Sequence, residues 1–144
     1  MKIVDAIALA ELRPMAERMY GTMVKADVDV AKKIVVIDMD MHADGEAYLL
    51  ERGSRQTDLW GINLHPDKFG TDEFIEFDSM INIRPRQNNP SRDVLDPAVR
   101  QQIIDIIAGV VREWTCFWSR EVAELNNIWA NGQHRLGGRA SVYR

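Results

Sequence analysis

The chain has 144 residues, of which 46% are apolar, and both values are typical of a single globular domain that buries its own core. It lacks the run of about eighteen apolar residues that a membrane span requires, and its single cysteine, Cys116, excludes an internal disulfide. The formal net charge of −4 argues against nucleic acid as a partner. Asp5 and Glu11 interrupt any segment resembling a secretory signal, so we expect a cytoplasmic protein.

The N-terminal part of the sequence predicts a short strand, a helix and a β-hairpin. Residues 2–4 are typical of a strand, and residues 8–20 carry apolar side chains at helical spacing, although Pro14 favours a later start of the helix. Over residues 22–30 apolar and charged side chains alternate, which predicts a strand with one solvent-facing side. Residues 34–40 supply its hairpin partner.

The middle of the sequence predicts a short helix followed by a second β-hairpin. Residues 43–52 are expected to form the helix, with Gly53 suited to its C-terminal end. Residues 58–66 and 73–85 are the two strands of the hairpin. Gly61 lies inside the first of these strands, where a glycine indicates either a bulge or the close approach of another segment.

The last predicted helix begins at Asp96-Pro97, because aspartate favours the N-cap and proline the first helical position. Its apolar spacing continues to about residue 131, and an unbroken helix of that length would measure roughly 50 Å. We therefore expect a bend near Gly109 or residues 115–116, or a helix that projects from the domain. The predicted organisation is a domain over residues 1–113, a helical extension over residues 114–131 and a frayed tail over residues 132–144.

The extension is rich in aromatic side chains, among them Trp114, Trp118 and Trp129. On a monomer these side chains would form a large apolar patch, which is typical of an interaction surface. We therefore expect a homo-oligomer, such as a homodimer, through residues 114–130. The alternative is that the helix folds back onto its own sheet, and size-exclusion chromatography with light scattering distinguishes the two.

These elements together predict an α+β fold. Two consecutive β-hairpins form an antiparallel sheet, a short helix lies between them, and the N- and C-terminal helices pack on one face of the sheet.

A first group of polar residues indicates a metal site. Asp38, Asp40 and His42 alternate, so an extended chain would place all three on one face. Carboxylate and imidazole ligands suit Mn²⁺, Fe²⁺ or Zn²⁺. The alternative is a solvated strand edge that leads into a helix whose positive N-terminus favours carboxylates. We prefer this alternative and assign no metal ligand.

A second group of polar residues indicates a ligand site on the second hairpin and the loop after it. Its members are Trp60, Asn63, Asn82, Arg84 and Arg92. An aromatic ring can stack on a ligand, and arginines among asparagines can bind a carboxylate or phosphate. The structural alternatives are that the tryptophan fills the core and that asparagine and arginine bond loop carbonyls.

Four strings in the sequence carry a family resemblance. They are HAD at 42–44, LLERGS at 49–54, DLWGINL at 58–64 and EFDSMINIRP at 76–85. In these strings, chiefly WGIN and EFDSMINIRP, the chain resembles a small prokaryotic family of uncharacterised domains of unknown function, over about residues 2–113. The resemblance implies membership of a family but no activity.

Two function hypotheses follow, and whether the protein is an enzyme stays open. The first is a binding or regulatory module that holds a small polar or anionic ligand, or a protein partner, through the second group of residues. The second is a metal-assisted hydrolase. Its candidate residues are Asp40, His42, Asp44 and Glu46, with Asp78 nearby, and its catalytic candidates are His42, Asp44 and Asp78. We favour the first, because the carboxylates lack a convincing third ligand. The sequence indicates no cofactor.

Overall fold

A computed structural model describes residues 1–19 and 21–113 of the chain. In this part the chain forms, in order, β1 (Lys2–Val4), β2 (Ile7–Ala8), α1 (Leu9–Met19), β3 (Val24–Asp29), β4 (Ile34–Ile37), α2 (His42–Glu51), β5 (Leu59–Leu64), β6 (Ile75–Glu76), α3 (Pro97–Val110) and β7 (Val111–Arg112). The predicted α+β class is confirmed.

Five of these strands form one antiparallel sheet in the order β1-β4-β3-β5-β6. The strand pairs β3–β4 and β5–β6 are the two predicted hairpins, and β3 also pairs with β5, with Asp27 opposite Gly61. A parallel pairing of β2 with β7, which the sequence did not indicate, joins the start of α1 to the end of α3.

One face of the sheet is covered by α1 and α3, as predicted. Leu12 of α1 and Ile107 of α3 are buried in the same apolar cluster as Val28 and Ile62 of the central strands. Fully burying a leucine or isoleucine side chain contributes about 1.5–3 kcal/mol. This cluster therefore supplies much of the stability that fixes the sheet.

The other face of the sheet is covered by α2, so the prediction of a solvent-facing side on β3 is wrong. Leu49 of α2 packs with Val36 and Leu59 in a second apolar cluster. Asp27 and Asp29, which the alternating pattern placed in water, are 0% and 1% exposed. The short helix between the hairpins thus encloses a layer of polar side chains.

The second hairpin is shorter than predicted. Instead of a strand over residues 73–85, only Ile75–Glu76 pairs with β5, and 3₁₀ turns follow at Met80–Asn82 and Pro85–Gln87. The Asn82 side chain takes the place of the missing strand, because it accepts from Gly61 N–H and donates to Gly61 O, both at 2.9 Å. A side chain therefore satisfies the open edge of β5.

The ends of the two long helices agree with expectation in part. α1 begins at Leu9 and passes through Pro14, so the later start is wrong. α3 begins as predicted, with the Asp96 carboxylate accepting from Ala98 N–H at 2.9 Å. It ends at Val110, where the chain extends as β7, so the helix is interrupted next to Gly109, the first of the expected positions.

The extension over residues 114–131, the tail over residues 132–144 and the self-association through residues 114–130 lie outside the described residues. In the part of the chain that the structure describes, each helix is too short or too polar to cross a membrane.

Candidate functional site

A cleft of about 370 Å³ opens where the N-terminus of α2 meets the central strands and the segment after β6. Three of its polar side chains are almost fully buried, namely His42, Asn63 and Ser79. Its charged side chains are Lys25, Asp40, Glu76, Asp78 and Arg92. The cleft is thus a concave site in which buried polar groups and charges of both signs meet.

His42, the first residue of α2, is held in one orientation by the sheet beneath it. Its Nε2 lies 2.8 Å from the carbonyl oxygen of Ile62, and because a carbonyl only accepts, Nε2 carries the proton. Burial lowers the pKa of His42 to about 4, so the ring is neutral at pH 7. The lone pair of Nδ1 is therefore an acceptor at the cleft.

Asn63 lies on β5, directly opposite Lys25 of β3. Its Nδ2 donates to the Asp78 carbonyl at 3.2 Å and, at 3.4 Å, to the Glu76 carboxylate. Its Oδ1 is buried and finds no hydrogen-bond partner among residues 1–19 and 21–113. A buried acceptor without a donor costs about 1–3 kcal/mol, so this oxygen marks a place where a donor is needed.

Gly61 allows the segment after β6 to approach the sheet. A Cβ at this position would lie 2.6 Å from Ser79 Oγ and 3.1 Å from His42 Cδ2. The predicted close approach at Gly61 is therefore confirmed, while the strand pairing runs through it without a bulge.

Among the residues that the structure describes, no general base is paired with Ser79. Its Oγ accepts from Ile81 N–H at 3.3 Å and caps the short turn that follows. The edge of the His42 ring that faces this region carries Nε2, which already donates to Ile62. Because Nε2 is a donor here, it cannot take a proton from the Ser79 hydroxyl, and the arrangement does not support a serine nucleophile.

The charges in the cleft are partly paired with one another. Arg92 Nε lies 2.6 Å from Asp78 Oδ1, and His65 Nε2 lies 2.7 Å from Glu76 Oε2. The guanidinium of Arg92 therefore already forms an ion pair with Asp78, another residue of the cleft.

Asp27 of β3 is buried beneath α2, close to the half-buried Glu46 of that helix. Both Asp27 oxygens and one Glu46 oxygen lack a hydrogen-bond partner within the described part of the chain. Burial, and then the charge of Glu46, raise the pKa of Asp27 to about 9, against smaller opposing effects of Lys25, the Glu46 backbone N–H and Arg84. Asp27 is therefore protonated at neutral pH.

Of the five predicted ligand residues, the structure brings Asn63 and Arg92 to the cleft and places the other three elsewhere. Trp60 is buried in the main core, with the Arg84 guanidinium carbon 4.5 Å from its ring centroid. Arg84 also donates to the carbonyls of Gln56, Leu59 and Ile81. The Arg84 guanidinium therefore bonds backbone carbonyls rather than a ligand, which is the structural alternative given for it in the sequence.

Replacing Asn82 with alanine is expected to lower the free energy of unfolding by about 3 kcal/mol or more. The change removes its bonds to both backbone groups of Gly61 and to the Arg92 carbonyl, and it leaves these groups buried. Urea denaturation measures the loss. The exposed Arg86→Ala is the control and should stay within about 0.5 kcal/mol of wild type. Equal free energies of unfolding for the two variants would contradict the conclusion that the Asn82 side chain satisfies the open edge of β5.

The predicted metal residues do not share a face. Asp38 has a φ of 67° and α2 begins at His42, so the segment between them is not the extended chain that the prediction required. Asp38 lies in a neighbouring groove 3.9 Å from the N-terminal amine, whereas His42 lines the cleft and Asp40 borders both. Across residues 1–19 and 21–113, no three His, Cys, Asp or Glu side chains form a metal-binding group.

The candidate residues of the hydrolase hypothesis also lie at separate places rather than in one cluster. Asp44 lines the neighbouring groove, while one oxygen of the half-buried Glu46 is buried and does not reach the cleft. Asp78 reaches the cleft but pairs with Arg92.

Two cleft residues, Lys25 and Glu76, were missed from the sequence. Lys25 belongs to the alternating pattern that predicted a solvent-facing side, and only the β3–β5 pairing sets it opposite Asn63. Gly61 was the local signal for the site, because a glycine inside a strand indicates that another segment lies close to it.

A family model described as "Protein of unknown function (DUF5674)" matches residues 1–110. Neither the curated proteins nor the solved structures gave a significant match to the chain. The comparisons attach no activity to the cleft.

Proposed function

The chain belongs to this family of proteins of unknown function, and we propose that it is a binding module that holds a small polar ligand in the cleft. The observation that carries the proposal is His42, which is buried, neutral and fixed by Nε2, with its other ring nitrogen left as an acceptor. The volume of about 370 Å³ falls within the range of small-molecule sites.

Binding is a better account of this geometry than catalysis. A histidine whose pKa lies near 4 is a weak general base at neutral pH, and in the described part of the chain Ser79 has no base that could activate it. A small ligand fits better than a protein partner, because the polar groups line a concavity and three of them are almost fully buried.

The proposal is tested by two-dimensional ¹H–¹⁵N NMR of the full chain. Propylamine, propionamide, propionate and inorganic phosphate are titrated separately at millimolar concentration. We expect at least one probe to shift the backbone amides of Lys25, His42 and Asn63 with a saturable dependence. Shifts confined to the neighbouring groove around Met1, or no saturable shift with any probe, would contradict the proposal.

A matched pair of variants places the binding site. Arg92→Gln changes a half-exposed side chain of the cleft, and Arg86→Gln changes an exposed arginine of the same loop outside it. Arg92→Gln is expected to alter the affinity for the binding probe severalfold, because it releases the Asp78 carboxylate. Arg86→Gln should leave the affinity unchanged, and equal effects of the two changes would count against this location.

A further inference from the structure

We infer that the ligand of this cleft is a small organic cation, an alkyl ammonium or its guanidinium counterpart, with a short apolar chain. The inference rests on the proposed function and names the chemical class that the cleft fits. It follows from the acceptors, the charges and the apolar rim of the cleft.

The polar side chains of the cleft include two acceptors that suit a ligand with donors. Nδ1 of His42 carries a lone pair, because Nε2 holds the proton that binds Ile62. Oδ1 of Asn63 is also an acceptor, since its Nδ2 is used by Glu76 and Asp78. An ammonium or guanidinium group supplies several N–H donors and no acceptor, whereas a carboxylate supplies none.

The charges favour the same class of ligand. Three carboxylates and two basic side chains line the cleft, and one of the basic groups, Arg92, is paired with Asp78. The positive N-terminal end of α2 favours anions, but Asp40 and Asp44 place two carboxylates beside it. Arg84, one of the arginines that the sequence indicated for binding an anion, donates instead to backbone carbonyls.

The rim of the cleft is suited to an apolar chain. Met41 and Met80 line it and are 61% and 70% exposed, the highest values among the large apolar side chains in the described ranges. Methionine is unbranched and adapts its shape to what it contacts. An alkyl chain that extends from the acceptors towards solvent would contact these two side chains and cover part of their exposed surface.

Hexylamine and hexanoate are the probes that test the inference, because they share an apolar chain and differ in head group. Each is titrated into the full-length protein and followed by the amide shifts of Lys25, His42 and Asn63. We expect saturable binding of hexylamine and no saturable shift with hexanoate. Methylamine, which lacks the chain, should bind at least tenfold more weakly than hexylamine.

Two isosteric variants separate the charge of the cleft from general surface charge. Glu76→Gln removes one carboxylate of the cleft while keeping an oxygen for Asn63, and Glu73→Gln removes an exposed one outside it. The affinity for hexylamine should fall threefold to tenfold with Glu76→Gln and stay constant with Glu73→Gln. Met80→Ser should weaken hexylamine and leave methylamine unchanged.

The possible failures are distinguishable. Saturable binding of hexanoate, phosphate or propionamide at the same amides, with hexylamine silent, would overturn the inference and leave the proposed binding function standing. If no probe shifted these amides in a saturable way, both the inference and the proposed binding function would be overturned. Equal losses of hexylamine affinity in Glu76→Gln and Glu73→Gln would show that the cation senses net charge alone, and would also overturn the inference.

Discussion

Replacing Gly45 with alanine is expected to lower the free energy of unfolding by about 3 kcal/mol or more, or to prevent folding. Gly45 lies in α2 directly above β3, and a methyl group there would collide with the Asp27 carboxylate. The same methyl would lie 2.7 Å from Sδ of Met39. Because the neighbours on both sides are buried, neither can move aside without displacing α2 from the sheet.

Gly109→Ala is the matched control for this experiment. Gly109 is also a helical glycine, but a Cβ at its position meets no atom of residues 1–19 or 21–113 within 4 Å. Since alanine is the better helix former, this change should stabilise the protein by about 0.5–1 kcal/mol. Urea denaturation of both variants gives the comparison. A Gly45→Ala protein as stable as wild type would show that α2 does not pack on β3 as closely as described.

The elements of the fold could be predicted because their signals are local. Alternation over residues 22–30 gave β3, and Asp96-Pro97 gave the start of α3, where the carboxylate caps Ala98 N–H. Which face of β3 meets water was not predictable in this way. That depends on where α2 packs, and alternation is the same whether polar side chains face solvent or a second layer.

The site was predicted in part for a similar reason. His42, Asn63 and Arg92 were identified as polar groups in unusual places, and the structure brings them to one cleft. Asn82 and Arg84 gave the same sequence signal, yet their partners include backbone groups of residues 56–61, more than twenty positions away. Composition cannot distinguish an arginine that binds a ligand from one that binds loop carbonyls, because both need the same donors.

The buried Asp27 predicts that the protein loses stability as the pH rises. Its pKa is about 9 in the folded protein and 3.8 as the reference for the unfolded chain, so between these values the folded state binds more protons. The free energy of unfolding should therefore fall from about pH 4 to about pH 9 and level off above it. The upper limit of this slope is about 1.4 kcal/mol per pH unit.

Asp27→Asn isolates this effect, because asparagine has nearly the shape of the protonated acid and cannot lose the proton. Relative to wild type, the variant should gain several kcal/mol of stability between about pH 5.5 and about pH 8.5, as urea denaturation at both pH values will measure. Asp29→Asn, at the other buried aspartate of β3, should be destabilising. Its carboxylate accepts from Lys32 N–H and the Ser54 hydroxyl, and an amide replaces one of these acceptors by a donor.

A difference between wild type and Asp27→Asn that stays constant over this pH range would show that Asp27 holds no extra proton in the folded state. In that case Arg84, Lys25 and the Glu46 backbone N–H would have to outweigh the cost of burying the Asp27 carboxylate. The expected pH dependence follows because removing a carboxylate from water costs more than these three groups return, and Glu46 adds to the cost.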